Sequence, residues 1–126
     1  MKFIILVKAS KESEAGQMPT RAQLEEMGKF NEGLAKDGVL LDGQGLRPTS
    51  KASRLRFDGG RVTVIDGPFA ETKEQLLGFY ILDVENLEAA LDAARQIAAV
   101  NPGGAFEIRP IAVFNPDERS GVAVKI

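Results

Sequence analysis

The chain contains no cysteine and no histidine. Without cysteine there is no disulfide, no thiolate nucleophile and no Cys-ligated zinc. Without histidine, the usual general base near neutral pH and the commonest metal ligand are both gone. Chemistry here must run on Asp, Glu, Lys, Arg, Ser, Thr or the single tyrosine, Tyr80, or on a borrowed cofactor. Long apolar runs are missing too: none approaches the ~20 residues that span a bilayer. The run Phe3–Val7 behind Met1-Lys2 is too short for a signal-peptide core, and no small-residue cleavage site follows it. Nor does one sign of charge dominate. Sixteen Lys and Arg against 18 Asp and Glu leave a net charge of −2, and the basic residues are scattered rather than striped, which argues against a nucleic-acid partner. The glycines at 43, 45 and 67 follow neither a dinucleotide nor a P-loop spacing, and no metal-ligand spacing occurs. The expectation is a cytoplasmic protein with no cofactor, no metal, no membrane anchor and no nucleic-acid partner.

What is present suits one globular domain over residues 1–126, with a core over about 1–114 and a C-terminal tail, 115–126, that must dock or fray. Apolar residues make up 44% and charged residues 27%, an ordinary balance for a packed core. Phe3–Lys8 reads as a strand with apolar residues on both faces, which fits a central strand. Ala9–Pro19 is polar and reads as a loop. Thr20 with Gln23 forms a capping-box pattern, and Leu24, Met27, Phe30 and Leu34 recur at helical spacing, so a helix runs from about Arg21 to Lys36 and stops at Asp37-Gly38. Val39–Leu41 opens a second strand that Gly43 and Gly45 roughen, as glycines do at a bulge or a close approach of backbone or ligand.

Ser53–Phe57 and Arg61–Ile65 flank Asp58-Gly59-Gly60, a hairpin signal, with Arg54 and Arg56 forming its wet face. Leu77–Val84 is a further strand, again apolar on both faces. Asn86 caps a second helix whose inward side reads as Leu87, Leu91, Ala94, Ile97 and Ala98, and Asn101-Pro102-Gly103-Gly104 ends it. Phe106–Phe114 reads as one last long strand. The resulting β-α-β-β-β-α-β order predicts an α+β, ferredoxin-like unit with one antiparallel sheet and both helices on one face. Strands apolar on both faces then need a second cover, which a second copy supplies through a sheet-on-sheet homodimer.

Three groups of residues invite a functional reading. Asp66-Gly67-Pro68-Phe69 cannot continue a strand, and Glu71, Lys73 and Glu74 follow it closely. The carboxylates could do acid/base work or position a ligand, and they could equally cap a turn and face solvent. Arg47, Arg54, Arg56 and Arg109 could each clamp an anion. Salt bridging suits Arg54 and Arg56 better. Arg109 shares one face of a predicted inner strand with Glu107, as a buried ion pair or as part of a site. Tyr80 could orient a ligand or donate a proton, or serve as a core aromatic.

The run from Asp66-Gly67-Pro68-Phe69 through Glu71-Thr72-Lys73-Glu74 to Gly78-Phe79-Tyr80, with Gly43, Leu46, Pro48 and Glu107-Ile108-Arg109-Pro110, resembles the DGPF branch of the YCII-related proteins. The resemblance implies a dimeric α+β barrel and one cleft per subunit. It puts forward Asp66, Glu71, Lys73, Tyr80 and Arg109 as site candidates; the first four are read as catalytic, and Arg109 joins Arg47 and Phe69 as a ligand-binding candidate. It also implies a regulatory or stress-linked role, because genes of this branch neighbour those of alternative sigma factors. The wider group is associated with a His-Asp active-site pair, which a chain without histidine does not carry. Two readings follow. The protein binds a small anionic metabolite beside the Asp66–Glu74 motif as an accessory to a regulatory partner, or it is a cofactor-free acid/base enzyme on a small carbonyl or carboxylate substrate. The missing histidine favours binding.

Overall fold

The structure is a computed structural model and describes residues 1–69, 75–100, 105–115 and 123–125. Four strands form the main sheet: β1 (Lys2–Lys8), β2 (Leu40–Gly45), β5 (Leu76–Asp83) and β6 (Phe106–Pro110), in the order β2-β5-β1-β6. Every neighbouring pair is antiparallel. With a helix after β1 and another after β5, this is the α+β, ferredoxin-like order expected from the sequence. β1 and β5 are the two inner strands, as their two-sided apolar character requires.

Alternation along the strands sorts the side chains. Phe3, Ile5, Val7, Tyr80 and Leu82 are buried on one face. The residues between them on β1 and β5, Ile4, Leu6, Phe79 and Ile81, form the outer face and are half-buried. Two helices cover the inner face. The first, α2 (Arg21–Lys36), starts where the capping box closes: the Gln23 N–H donates to Thr20 Oγ1 (3.1 Å), and the Thr20 N–H donates to Gln23 Oε1 (2.8 Å). It ends at Asp37, with Gly38 at φ 74° beyond it. The second, α3 (Leu87–Val100), is capped by Asn86 Oδ1, which accepts from the Ala89 N–H (2.9 Å). The core joins Ile5, Val7, Tyr80 and Leu82 of the sheet to Ala93, Ala94 and Ile97 of α3, with Phe30 and Leu34 of α2 packed against it.

Strands β3 (Ser53–Asp58) and β4 (Arg61–Asp66) form a separate two-stranded ribbon. Gly59 and Gly60 both take positive φ (53° and 83°), which the tight turn between these strands demands. Leu55 pairs with Val64 and Phe57 with Val62, and all four side chains are exposed. One wet face is expected of this ribbon; within the described chain its apolar face is open as well.

Four expectations need correction. The loop over Ala9–Pro19 contains a helical turn, α1 (Lys11–Glu14), capped reciprocally by Ser10 and Ser13. The inward face of α3 is Ala90, Ala93, Ala94 and Ile97, while Leu87 and Ala98 are exposed: the small residues go inward because they let the helix lie close to the sheet. The last long strand is two strands. β6 stops at Pro110, β7 (Val113–Asn115) follows, and β8 (Ala123–Lys125), in the tail, pairs antiparallel with β7. Finally, β6 is an edge strand of the described sheet and not an inner one. The Asn101–Gly104 helix stop lies outside the described residues. Among the described residues, no helix is long and apolar enough to cross a membrane.

Candidate functional site

A cavity of about 790 Å³ opens between α2 and the β2–β5 side of the sheet. Its floor is shaped by what β2 and β5 lack. Gly43 and Gly45 face Tyr80 and Gly78 across the ladder, so three of the four positions in this patch carry no side chain. A Cβ at Gly43 would touch the Tyr80 ring at 3.1 Å, and one at Gly78 would sit 2.6 Å from the Gln44 carbonyl oxygen. A Cβ at Gly45 meets nothing within 4 Å. Gly78 therefore permits the close approach of the two strands, and Gly45 leaves space. Just upstream, the register between Leu40 and Asp42 shifts, so β2 does carry the bulge that its glycine-rich sequence suggests.

The roof is α2, through Leu24, Met27 and Asn31, and the segments 16–19 and 46–51 close the sides. The lining is mostly apolar, and its cationic groups among the described residues are Arg47 and Lys51. The short 3₁₀ turn Thr49–Lys51 gives one side to the cavity, through Ser50 and Lys51, and the other to the Asp66–Phe69 turn.

That second contact explains the Asp-Gly-Pro-Phe sequence. The Gly67–Pro68 peptide is cis, and the Gly67 N–H donates to the Ala52 carbonyl (2.9 Å). A Cβ on Gly67 would fall 1.7 Å from the Thr49 carbonyl oxygen, so no other residue fits without moving the backbone. The Phe69 N–H donates to Thr49 Oγ1 (3.1 Å). The Thr49 hydroxyl in turn donates to Glu14 Oε2, and the Thr49 N–H points at the same carboxylate (3.3 Å to Oε1). Gln75 Nε2 donates to the Phe69 carbonyl (2.9 Å), while the Gln75 carbonyl accepts from the Ala9 N–H (2.8 Å). The Arg54 guanidinium lies 4.0 Å from the Phe69 ring centroid, a cation–π contact. Asp66 is exposed and accepts from the Ser53 hydroxyl (3.2 Å). The turn is thus tied to α1, to the 3₁₀ segment and to the start of β5, and it buttresses the cavity wall from behind.

The structure separates the sequence-derived candidates. Arg47 and Tyr80 line the cavity. Asp66 and Phe69 belong to the buttressing turn. Glu71, Lys73 and Glu74 lie outside the described residues. Arg109 is placed elsewhere: it stands opposite Ile4, on the outer face of the edge strand, and its largely exposed guanidinium pairs with Glu107 at 2.7 Å. Glu107 also faces Lys8 Nζ (3.7 Å). The charged pair that the sequence reads as a buried ion pair or as part of a site is, within the described chain, an exposed pair on the outer face of the sheet.

Sequence reasoning misses five residues. Glu14, Thr49 and Gln75 hold the turn through contacts that span up to 35 positions, which no local pattern reveals. Lys51 hides among ordinary surface lysines. Asn31 carries a signal: it interrupts the inward row of α2 at helical spacing from Leu24 and Met27. Among the described residues, no cluster of carboxylates has the arrangement to hold a metal ion.

A family profile for the YCII-related domain matches residues 1–115. The chain belongs to the YCII-related family. An uncharacterized protein of Rhizobium meliloti (strain 1021) is 53% identical over 74 residues. That match covers 58% of this chain and 60% of the relative, so the chain spans about 60% of that protein. Within the family frame, this YCII-related chain has a glycine-floored cavity and no histidine to put in it.

Proposed function

We propose that this YCII-related protein binds a small anionic metabolite in the cavity beneath α2, beside the Asp66–Phe69 turn, and acts as an accessory that reports it to a regulatory partner. The observation that carries the reading is the floor. Gly45 keeps open a space that an ordinary strand residue would fill, at some cost to strand stability, and it lies beside Gly43 and Gly78, where the Tyr80 ring and the neighbouring strand come close. A volume of about 790 Å³ lies in the range of small-molecule sites, and Arg47 and Lys51 supply the charge to hold an anion. The Asp66–Phe69 turn then shapes the wall and takes no direct part in binding. The experiment is a thermal-shift screen against carboxylates, phosphates and dicarbonyls. A ligand of the native state raises the melting temperature by mass action. A hit of several degrees that disappears in Gly45→Leu is the expected result. No shift across the panel, or one that Gly45→Leu leaves intact, overturns the proposal.

The same reading includes a homodimer. The outer sheet face carries Ile4, Leu6, Phe79 and Ile81, only half-buried, and the β3–β4 ribbon exposes Leu55, Phe57, Val62 and Val64. A second copy laid face to face covers such a surface and gives a dimeric α+β barrel its physical reason. A solution mass of one 13.6 kDa chain at micromolar concentration refutes this part.

A catalytic use of the cavity has one supporting observation, the presence of Tyr80 in its lining. In that alternative, Tyr80 or Lys73 polarises a substrate oxygen and Glu71 serves as the base in a cofactor-free reaction on a small carbonyl or carboxylate compound. Glu71→Gln separates the two: it abolishes turnover in an enzyme and spares most of the affinity in a binding protein.

A further inference from the structure

Strands β3 and β4 make an arm whose apolar face has no cover within the described chain. Leu55, Phe57, Val62 and Val64 share that face through their register, and all four are exposed, Phe57 at 75%. Arg54, Arg56, Arg61 and Thr63 take the other face. A two-stranded ribbon alone is only marginally stable in water, so a bare apolar face on one calls for a partner. The base of the arm is fixed. The Gly67 N–H donates to the Ala52 carbonyl, the Ser53 hydroxyl donates to Asp66, and the Arg54 guanidinium lies over the Phe69 ring. Bonds from Leu46 to Leu77 and from Gln75 to Phe69 place this base at the end of the main sheet where β1 and β2 finish and β5 begins.

A face-to-face pair of main sheets is too small by itself. Four strands ~4.8 Å apart and ~20 Å long make a face of roughly 400 Å², so two faces bury roughly 800 Å², the size of an incidental contact. An arm of two six-residue strands adds roughly 200 Å² and covers as much on its seat, so two arms bring the total to roughly 1,600 Å², that of a stable complex. Exposed apolar area and charge say where the seat lies. At the far end of the sheet, where β1 begins and β5 ends, Met1, Leu87 and Val113 are exposed. Met1 exchanges hydrogen bonds with Val84 there, and the Ile111 N–H donates to the Lys2 carbonyl. The same end carries Asp83, Glu85 and Glu88, with Lys2 and the Met1 amino group as the opposing charges, and that amino group pairs with Asp83 at 3.5 Å. Toward the free end of the arm stand Arg56 and Arg61, against Asp58 alone. The near end of the sheet presents Arg47 and Lys51 on the cavity wall, which repel them.

We infer that the ribbon is an exchanged arm. Each protomer's arm crosses the ~10 Å between two packed sheets and lays its apolar face on Met1, Leu87 and Val113 of the partner subunit, at the partner's acidic end. This rests on the homodimer reading and adds which surfaces meet: the arm end of one sheet lies over the Met1–Asp83 end of the other.

The test is sedimentation of the full-length chain over a concentration series, which reads the dimer dissociation constant. Leu55→Ser with Phe57→Ser raises that constant about a hundredfold, because two-fold symmetry removes the contact twice. Two charge variants then locate the seat. One reverses the arm (Arg56→Glu with Arg61→Glu) and the other reverses the seat (Glu85→Arg with Glu88→Arg). Each alone associates about tenfold more weakly. An equimolar mixture regains the native constant, since the acidic arm meets the basic seat and the native arm meets the native seat. The arm variants keep the native melting temperature at a concentration where the native chain is monomeric, because these side chains are exposed in the single chain.

A dimer that Leu55→Ser with Phe57→Ser leaves intact overturns the arm, while the homodimer stands. Charge variants that associate like the native chain, or that stay weak when mixed, overturn the choice of seat. A lower melting temperature of the Leu55→Ser, Phe57→Ser chain under monomeric conditions shows that its own chain covers the arm, and overturns the exchange. A native chain that stays monomeric throughout removes the homodimer, and then it is the reading beneath this inference that fails.

Discussion

The two helices lie on the same face of the same sheet, and they do opposite things with it. α3 turns Ala90, Ala93, Ala94 and Ile97 inward and buries all four, so that Ile97, Ile5 and Leu82 are wholly enclosed. α2 has an amphipathic pattern too, yet none of its residues is fully buried. The cause lies in side-chain size on both partners. Alanines let α3 settle close onto β1 and β6. α2 turns Leu24, Met27 and Asn31 toward the cavity, and beneath it the sheet offers glycine at 43, 45 and 78. One half of a single layered fold carries the stability, and the other half is held open.

Substitutions in the two halves should therefore differ by several-fold in their effect on stability. The largest loss is expected from Ile97→Ala, which empties a fully enclosed site and should cost about 2–5 kcal/mol. For a chain of this size that lowers the melting temperature by on the order of 10 °C. Next comes Gly78→Ala, on the seam between the halves. Its Cβ would lie 2.6 Å from a backbone oxygen of β2, so the two strands must part, at a cost of about 1–3 kcal/mol. Chemical denaturation of both variants reads the ranking, and a Gly78→Ala protein as stable as the native chain would show that the β2–β5 edge has slack. Met27→Ala, on the roof of the cavity, should cost less than about 1 kcal/mol, because the methionine already borders open space. Should it prove as damaging as Ile97→Ala, the cavity is closed in solution and the contrast between the helices collapses.

The half that is packed is largely legible from local chemistry. Thr20 with Gln23, Asp37-Gly38, Asp58-Gly59-Gly60 and Asn86 each mark an element boundary through a contact made within a few residues, and each stands where the sequence puts it. Legibility fails where distant partners decide. The Ser10–Ser13 turn is hidden because serine at the fourth position of a capping box is unusual. The face of α3 misleads because leucine carries more apolar weight than alanine, whereas close packing selects for small size. Arg109 is misplaced by its sequence because period-2 alternation says which face a residue takes and nothing about whether its strand is inner or edge. Of the candidate site, Arg47 and Tyr80 are visible in the sequence. Asn31 is not, because a polar residue in an apolar row looks like a gap in the pattern and not like a feature. The glycines at 43 and 45 stand out, but only the register of β2 against β5 shows that they and Gly78 form one floor.

The smallest effect on stability is also the most discriminating. Gly45 has no positive φ, and a side chain added there meets nothing within 4 Å at its first carbon. By alternation it points to the same side as Gly43, toward the cavity. Gly45→Leu should thus leave the melting temperature unchanged or raise it slightly, since it gives a strand position a side chain and covers the apolar wall of α2. Loss of function with no loss of stability is the mark of a position kept empty for a ligand. A fall in melting temperature comparable to that of Gly78→Ala would mean instead that the space at Gly45 is taken up in solution by a neighbouring side chain.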